Sequence, residues 1–167
     1  MPTIQPIAPC LWFDDQAEAA VEFYTGIFKR SKVTKITRYS EVGHEFHGRP
    51  LGSVMTIAFE LDGQAFTALN GGPMFRFNEA VSFQVGCTTQ EEVDHYWDKL
   101  GDGGDPTAQQ CGWLKDRYGL SWQIVPAIVP DLVGEPESPR SRRAMQALLN
   151  MKKIDIAELQ RAYAGPA

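Results

Sequence analysis

The sequence is poor in the residues that staple small folds or hold metals, with three cysteines and three histidines among 167 residues. Cys10, Cys87 and Cys111 form no CxxC pair and are odd in number, so a disulfide framework is not expected. Reduced thiols in a cytoplasm are the expected state, the alternative being a secreted protein whose signal has been removed. Positive charge is also in short supply. Sixteen Lys and Arg against 21 Asp and Glu leave a net charge of −5, which argues against a general nucleic-acid binder, because neutralising phosphates needs a basic face. No long apolar run is present, and Ile124 to Val129 is broken by Pro126, so no membrane span is expected. The stretch Met1 to Cys10 has no basic region and reads as neither signal peptide nor anchor. What is there is ordinary for a globular chain: 43% hydrophobic and 22% charged residues. A chain this long buries about two-thirds of its unfolded surface and needs no staple.

Read in order, Ile4 to Phe13 is expected to be a strand, ended by Asp14-Asp15. A helix follows from Asp15 to about Phe28, with Asp15 as N-cap, Glu18 three residues on, and Ala17, Ala20, Val21, Tyr24, Ile27 and Phe28 on one face. Lys32 to Ser40 alternates as a strand, and Glu41 to Pro50 reads as a loop. Ser53 to Leu61 and Gln64 to Asn70 make a hairpin around Asp62-Gly63. A linker from Asn70 to about Glu79 comes next.

The order then begins again. Ala80 to Gly86 is a strand, and Thr89-Gln90-Glu91-Glu92 is a capping box opening a helix that Gly101 to Asp105 stops. Pro106 to Arg117 supplies one or two strands, Tyr118-Gly119 turns, and Ser121 to Val125 is the last strand. Pro126 to Pro139 carries four prolines and reads as a linker to two helices, Arg140 to Met151 and Asp155 to Ala164. Val21-Glu22-Phe23-Tyr24 corresponds to Val93-Asp94-His95-Tyr96, and Asp62-Gly63…Phe66-Thr67 to Tyr118-Gly119…Trp122-Gln123. Such an internal repeat decides the fold. The expected class is α+β: βαβββ modules over residues 1–75 and 76–130, forming a curved, partly closed mixed sheet around a cleft, plus a helical extension over 138–165.

The block Trp12-Phe13-Asp14-Asp15…Glu18-Ala19-Ala20…Phe23-Tyr24…Phe28 resembles the opening of PhnB-like proteins in the glyoxalase/bleomycin-resistance (vicinal-oxygen-chelate) superfamily. The run Gln110-Cys-Gly-Trp-Leu-Lys-Asp-Arg-Tyr-Gly-Leu-Ser-Trp-Gln-Ile-Val-Pro126 is more specific. It is similar to the branch often labelled 3-demethylubiquinone-9 3-methyltransferase, as is the tail from Met151 to Tyr163. The likeness runs from about Ile4 to Gly165. The resemblance implies four ligand positions for one divalent metal in the superfamily's metalloenzymes, which here are Ala8, Thr67, Ala80 and Gln123. Two methyl groups, a hydroxyl and a carboxamide do not replace imidazole, thiolate or carboxylate donors. A slip of two residues brings in Cys10, Ser82 or Gln84 and still builds no metal site, so no metal and no cofactor are expected.

Strand alternation places Ala8, Cys10 and Trp12 on the cleft face, with Leu11 and Phe13 against the helix. On the matching strand Ser82 and Gln84 face the cleft, and Val81, Phe83 and Val85 the helix. Cys10 is a plain core residue or, with a lowered pKa and a nearby base, a nucleophile. Polar strand residues facing a cavity have partners, whether ligand, water or each other. Trp12, Trp113 and Trp122 with Phe59 and Phe66 line an aromatic pocket or belong to the core, the latter favoured for Trp122. His44-Glu45-Phe46-His47 lies on an apparent loop, where no helix face brings the two imidazoles together. It reads as solvated, or as a loop closing over the cavity with His44 or Glu45 as acid or base. His95 reads as solvent-facing. The expected ligand contacts are Cys10, Trp12, Thr67, Ser82, Gln84, Trp113 and Gln123, with Cys10, Glu45 and Gln123 as catalytic candidates.

Three functions stay open: a metal-free small-molecule-binding protein, a metal-free enzyme on a small aromatic or quinone-like substrate, and the methyltransferase of the branch label. The label finds little support in the residues. Gly101 to Asp105 follows a helix, and Asn70-Gly71-Gly72-Pro73 leads into a linker, whereas a Rossmann-type site needs a glycine-rich turn from strand to helix. Apolar stripes on the last two helices (Ala144, Leu148, Met151; Ile156, Leu159, Tyr163) need a cover. Together with the habit of the proteins it resembles, they lead to the expectation of a homodimer.

Overall fold

A computed structural model describes residues 7–166. The chain divides into two compact units, Met1–Phe77 and Asn78–Ala167. Its strands form two mixed sheets, of four and three strands, neither closed. The α+β architecture with C-terminal helices is the one expected.

In the first unit β1 (Cys10–Phe13), α1 (Ala17–Ile27), β2 (Lys32–Arg38), the single helical turn α2 (His44–His47), β3 (Val54–Leu61) and β4 (Gln64–Asn70) follow one another. The sheet order is β1-β4-β3-β2, with β1 parallel to β4 and the other pairs antiparallel. The β3–β4 turn forms because Asp62 and Gly63 accept positive φ, 49° and 85°. Alternation gives the sheet a covered face. Leu11, Phe13, Ile57, Phe59, Phe66 and Ala68 are buried, as are Ala17, Ala20, Val21, Tyr24 and Ile27 of α1. The strand expected from Ile4 is shorter, and Ile4 itself lies outside the described residues.

Two expectations in this unit need correction. Asp15 does not cap α1: the N-cap is Gln16, and it makes no side-chain cap bond. The cap comes from β4, where Asn70 Oδ1 accepts the Ala17 N–H at 2.8 Å. The same side chain donates through Nδ2 to Glu18 Oε2 (2.8 Å) and to the Val54 carbonyl (3.1 Å). A buried amide with three partners satisfies the helix end better than an exposed aspartate beside it. The segment Glu41 to Pro50 is not all loop either. Gly43 and Gly48 bracket α2 with left-handed backbone, and the His44 and His47 rings meet edge-on at 5.7 Å.

In the second unit β5 (Ser82–Cys87), α3 (Gln90–Gly101), a 3₁₀ turn (Pro106–Ala108), β6 (Trp113–Lys115), β7 (Ser121–Pro126), α4 (Val129–Val133), α5 (Pro139–Leu149) and α6 (Ile156–Ala164) follow. The order is β5-β7-β6, with β5 parallel to β7. Here the local capping signal holds. Thr89 Oγ1 accepts from Glu92 N–H, and Glu92 Oε2 accepts from the Thr88 N–H and hydroxyl. Pro106 to Arg117 gives one strand, not two. Asp105 holds Pro106–Ala108 in a 3₁₀ turn, and the Cys111 and Gly112 N–H groups donate to Met151 and Lys152 carbonyls instead of to a strand (both 2.8 Å).

The proline-rich segment also carries structure, since α4 starts with Pro130 in its first turn, where the missing N–H costs nothing. Val129 and Leu132 join Ala144, Met151, Ile154 and Leu159 in one buried cluster, with Leu148 and Tyr163 packed against it. The two apolar stripes thus cover each other within the unit. Met145 and Leu149 stay exposed on α5.

Candidate functional site

Each parallel strand pair has one face turned away from its helix, and the candidate residues lie there. In the first sheet Cys10 stands opposite Thr67, and Trp12 opposite Leu69. Cys10 is exposed, Thr67 half-buried. Desolvation alone acts on the Cys10 thiol and raises its pKa, the opposite of what an activated nucleophile needs. Trp12 is half-buried and anchored, not loose: Nε1 donates to the Gly72 carbonyl (2.8 Å), and Phe75 meets the ring edge-on at 4.9 Å. Gly71 makes this possible, since a Cβ there would come within 2.4 Å of the indole.

In the second sheet the register sets Gln84 beside Gln123 and Gln123 beside Trp113. Three of the expected contacts form one hydrogen-bonded chain. Gln84 Nε2 donates to Gln123 Oε1 (3.3 Å), and Gln123 Nε2 donates to Ser82 Oγ (2.8 Å). Gln84 is exposed, while Ser82, Gln123 and Trp113 are half-buried. Gln84 keeps its own carbonyl oxygen, and the Ser82 hydroxyl proton is left to donate. The face therefore offers a donor and an acceptor side by side, flanked by an indole.

The remaining candidates are elsewhere. Trp122 is core, 2% exposed, with Nε1 donating to Asp116 Oδ2 at 2.8 Å, and Phe59 and Phe66 stack on each other inside the first unit. Asp116 also accepts from the Tyr118 and Leu120 N–H groups, so this buried carboxylate organises the β6–β7 turn. Glu45 is exposed on α2, and His95 is exposed on α3, as expected. Cys87 is fully buried, with desolvation and then Glu92 pushing its thiol up to about 11.

The site that sequence reasoning missed is a pocket of about 590 Å³ beyond the ends of β1 and β4, walled by Asp14, His47, Arg49 and the turn from Gly71 to Met74. Arg49 and Asp14 lie 35 positions apart, and no spacing rule links them.

The metal positions suggested by the resemblance do not fit a divalent transition metal. Ala8 and Ala80 bring no donor, and both ends of the Gln123 amide are engaged with Gln84 and Ser82. No group of three or more His, Cys, Asp or Glu comes together among the described residues. A Rossmann-type methyl-donor site does not fit either: Gly101 closes α3, and Gly71-Gly72 leads from β4 toward β5 with no helix between. Among the described residues no helix is long and apolar enough to cross a membrane.

Comparison with known proteins follows the same line. Residues 5–125 match the family model described as 3-demethylubiquinone-9 3-methyltransferase. The PhnB protein from Bacillus cereus is 36% identical, with a TM-score of 0.62 over 74% of this chain and 100% of that one. A protein from Pseudomonas aeruginosa, 18% identical (TM-score 0.55, 74% of this chain, 98% of that), shares the fold. So does the fosfomycin resistance protein FosX from Mesorhizobium loti, 11% identical (TM-score 0.50, 74% and 90%). Among curated proteins no match was found.

Proposed function

Starting from the premise that the chain belongs to the 3-demethylubiquinone-9 3-methyltransferase (PhnB-like) family of the vicinal-oxygen-chelate superfamily, we propose that it binds a small organic molecule without a divalent metal. The observation that carries this reading is the chain Ser82–Gln123–Gln84 beside Trp113. Relatives with metal chemistry, as the resemblance implies, hold an ion at the Gln123 position, and here a carboxamide pair presents neutral hydrogen-bonding groups instead. Amides next to an indole suit a flat ligand bearing carbonyl or hydroxyl oxygens: the ring stacks, and the oxygens take one donor and one acceptor. The open face of the first sheet, with Cys10, Thr67 and Trp12, is the second candidate surface for such a ligand. Catalysis through Cys10 is not favoured, because its thiol pKa moves up.

Native mass spectrometry of freshly purified full-length protein tests the reading. The expected result is a co-purifying organic mass that is lost from Gln123→Ala while the variant keeps its circular-dichroism spectrum. A ligand retained undiminished by that variant would place binding elsewhere.

A further inference from the structure

The pocket beyond β1 and β4 shares no residue with the face just described, and it is built around a cation. Arg49 is largely buried, its side chain 21% exposed. Its Nη2 is held by the Asp14 main-chain oxygen and by Asp14 Oδ1, the latter at 3.1 Å. A guanidinium carries five N–H donors. Those on Nε and Nη1 have no partner among the described residues, although the group sits in a pocket wall. Neither nitrogen is sealed from solvent, so these donors face the open pocket and are free to turn to an anion.

The surroundings keep that cation accessible. Gly72 has φ +99°, and a Cβ there would stand 3.4 Å from Arg49 Nη2. Its neighbour Gly71 has no room for a side chain, because Trp12 occupies the space. The Gly71-Gly72 pair, which fits no dinucleotide turn, thus leaves a stretch of wall beside Arg49 free of side chains. Two large apolar side chains line the same pocket and are left in water, Phe46 at 88% and Met74 at 76% exposure.

We propose that this pocket is a binding site for a small organic carboxylate with an apolar body, its oxygens accepting from Arg49 Nε and Nη1 and its body covering Phe46 and Met74. A carboxylate with an apolar body suits the site better than phosphate: the Arg49–Asp14 pair has no net charge to hold a dianion, and only the organic ligand gains from covering Phe46 and Met74. The other titratable side chain of the wall, His47, is already positioned by its own loop, with Nδ1 accepting the Arg49 N–H at 3.0 Å.

The probe is 4-fluorobenzoate, titrated into full-length protein and read by fluorine NMR together with the arginine Nε–H resonances. Saturable binding with a shift of the Arg49 Nε–H signal is expected, weakened about tenfold or more in Arg49→Gln. Asp14→Asn should tighten binding severalfold by removing the competing charge. Inorganic phosphate should displace the probe poorly. Saturable binding that leaves the Arg49 signal unmoved overturns the proposal, as does absence of binding at millimolar probe. Displacement by phosphate as effective as by benzoate overturns the carboxylate assignment. The Arg49 resonance is read in unmodified protein, so the test stands even where a variant folds poorly.

Discussion

The two units solve one structural problem in opposite ways. Each lays a helix against a sheet whose first strand runs parallel to its last. In the second unit the helix is capped from its own sequence, by Thr89 and Glu92. In the first it is capped from 53 positions away, by Asn70. Buried polar groups differ in the same way. Asp116 of the second unit binds Tyr118, Leu120 and Trp122, all within six residues. Asn70 ties together the helix start, Glu18 and Val54, separations of 53, 52 and 16. The α3 start and the β6–β7 turn of the second unit are specified locally, whereas the α1 start of the first depends on a long-range polar contact that exists only once the sheet has formed.

That contrast is open to mutation. Asn70→Ala leaves the Ala17 N–H and the Val54 carbonyl without partners in a buried place, and should cost about 3 kcal/mol. Thr89→Ala removes one exposed cap and should cost about 1 kcal/mol. Urea unfolding of the two variants measures both, and equal losses would break the comparison. A glycine pair sharpens it. Gly71→Ala drives a methyl into the Trp12 ring and should cost about 2 kcal/mol with a changed tryptophan emission. Gly86→Ala on β5 meets nothing within 4 Å and should be within about 0.5 kcal/mol of wild type.

Thiol labelling compares the two sheets more gently. Cys87, buried and with its thiol pushed up to about 11, should stay unlabelled in native protein, while exposed Cys10 reacts slowly and Cys111 is intermediate in exposure. A ligand on the first sheet's open face should slow Cys10. Unchanged labelling with a ligand confirmed there would remove Cys10 from the site.

The smallest effect concerns how the extension is held to α3. Lys153 pairs with Asp94 at 2.9 Å and with Asp98 at 3.7 Å. The Lys153 hydrogen bond holds Asp94 below the usual carboxylate range, and the Asp94 hydrogen bond raises Lys153. A lowered carboxylate contributes stability above its unfolded pKa and loses it as pH falls through the folded value. A raised lysine contributes below its unfolded pKa and loses it as pH rises through the folded value. The pair therefore works from about pH 4 to about pH 10, and is worth a few tenths of a kcal/mol because both groups are well exposed. A Lys153→Met variant whose stability tracks wild type across pH 3 to 7 within error of that size (about 0.3 kcal/mol) is compatible, whereas a loss above about 1.5 kcal/mol would show a tighter coupling.

Legibility in the sequence followed the same division between local and distant causes. The β3–β4 hairpin, the α3 capping box and most of the core faces were readable because period and turn chemistry act over a few residues, but Val81, expected against the helix, precedes β5 and is 64% exposed. The Asn70 cap was not, because its partners meet only through sheet register. The α4 turn was hidden by Pro130, which reads as a breaker although it sits where a helix tolerates it. Alternation brought Ser82, Gln84 and Gln123 to one face, but gave no hint of the Arg49–Asp14 pocket. The stripes that led to a dimer expectation are covered within the second unit. We therefore propose any self-association through exposed Met145 and Leu149 of α5, which light scattering of wild type against Leu149→Glu would test; a monomer at micromolar concentration defeats it.

Elemental analysis of untagged, full-length protein purified without chelator tests the central claim most directly. With amides engaged at Gln123 and alanines at 8 and 80, the account predicts zinc, nickel, manganese and iron each far below one equivalent per chain. About one equivalent of any of them, lost together with bound ligand in Gln123→Ala, would contradict it.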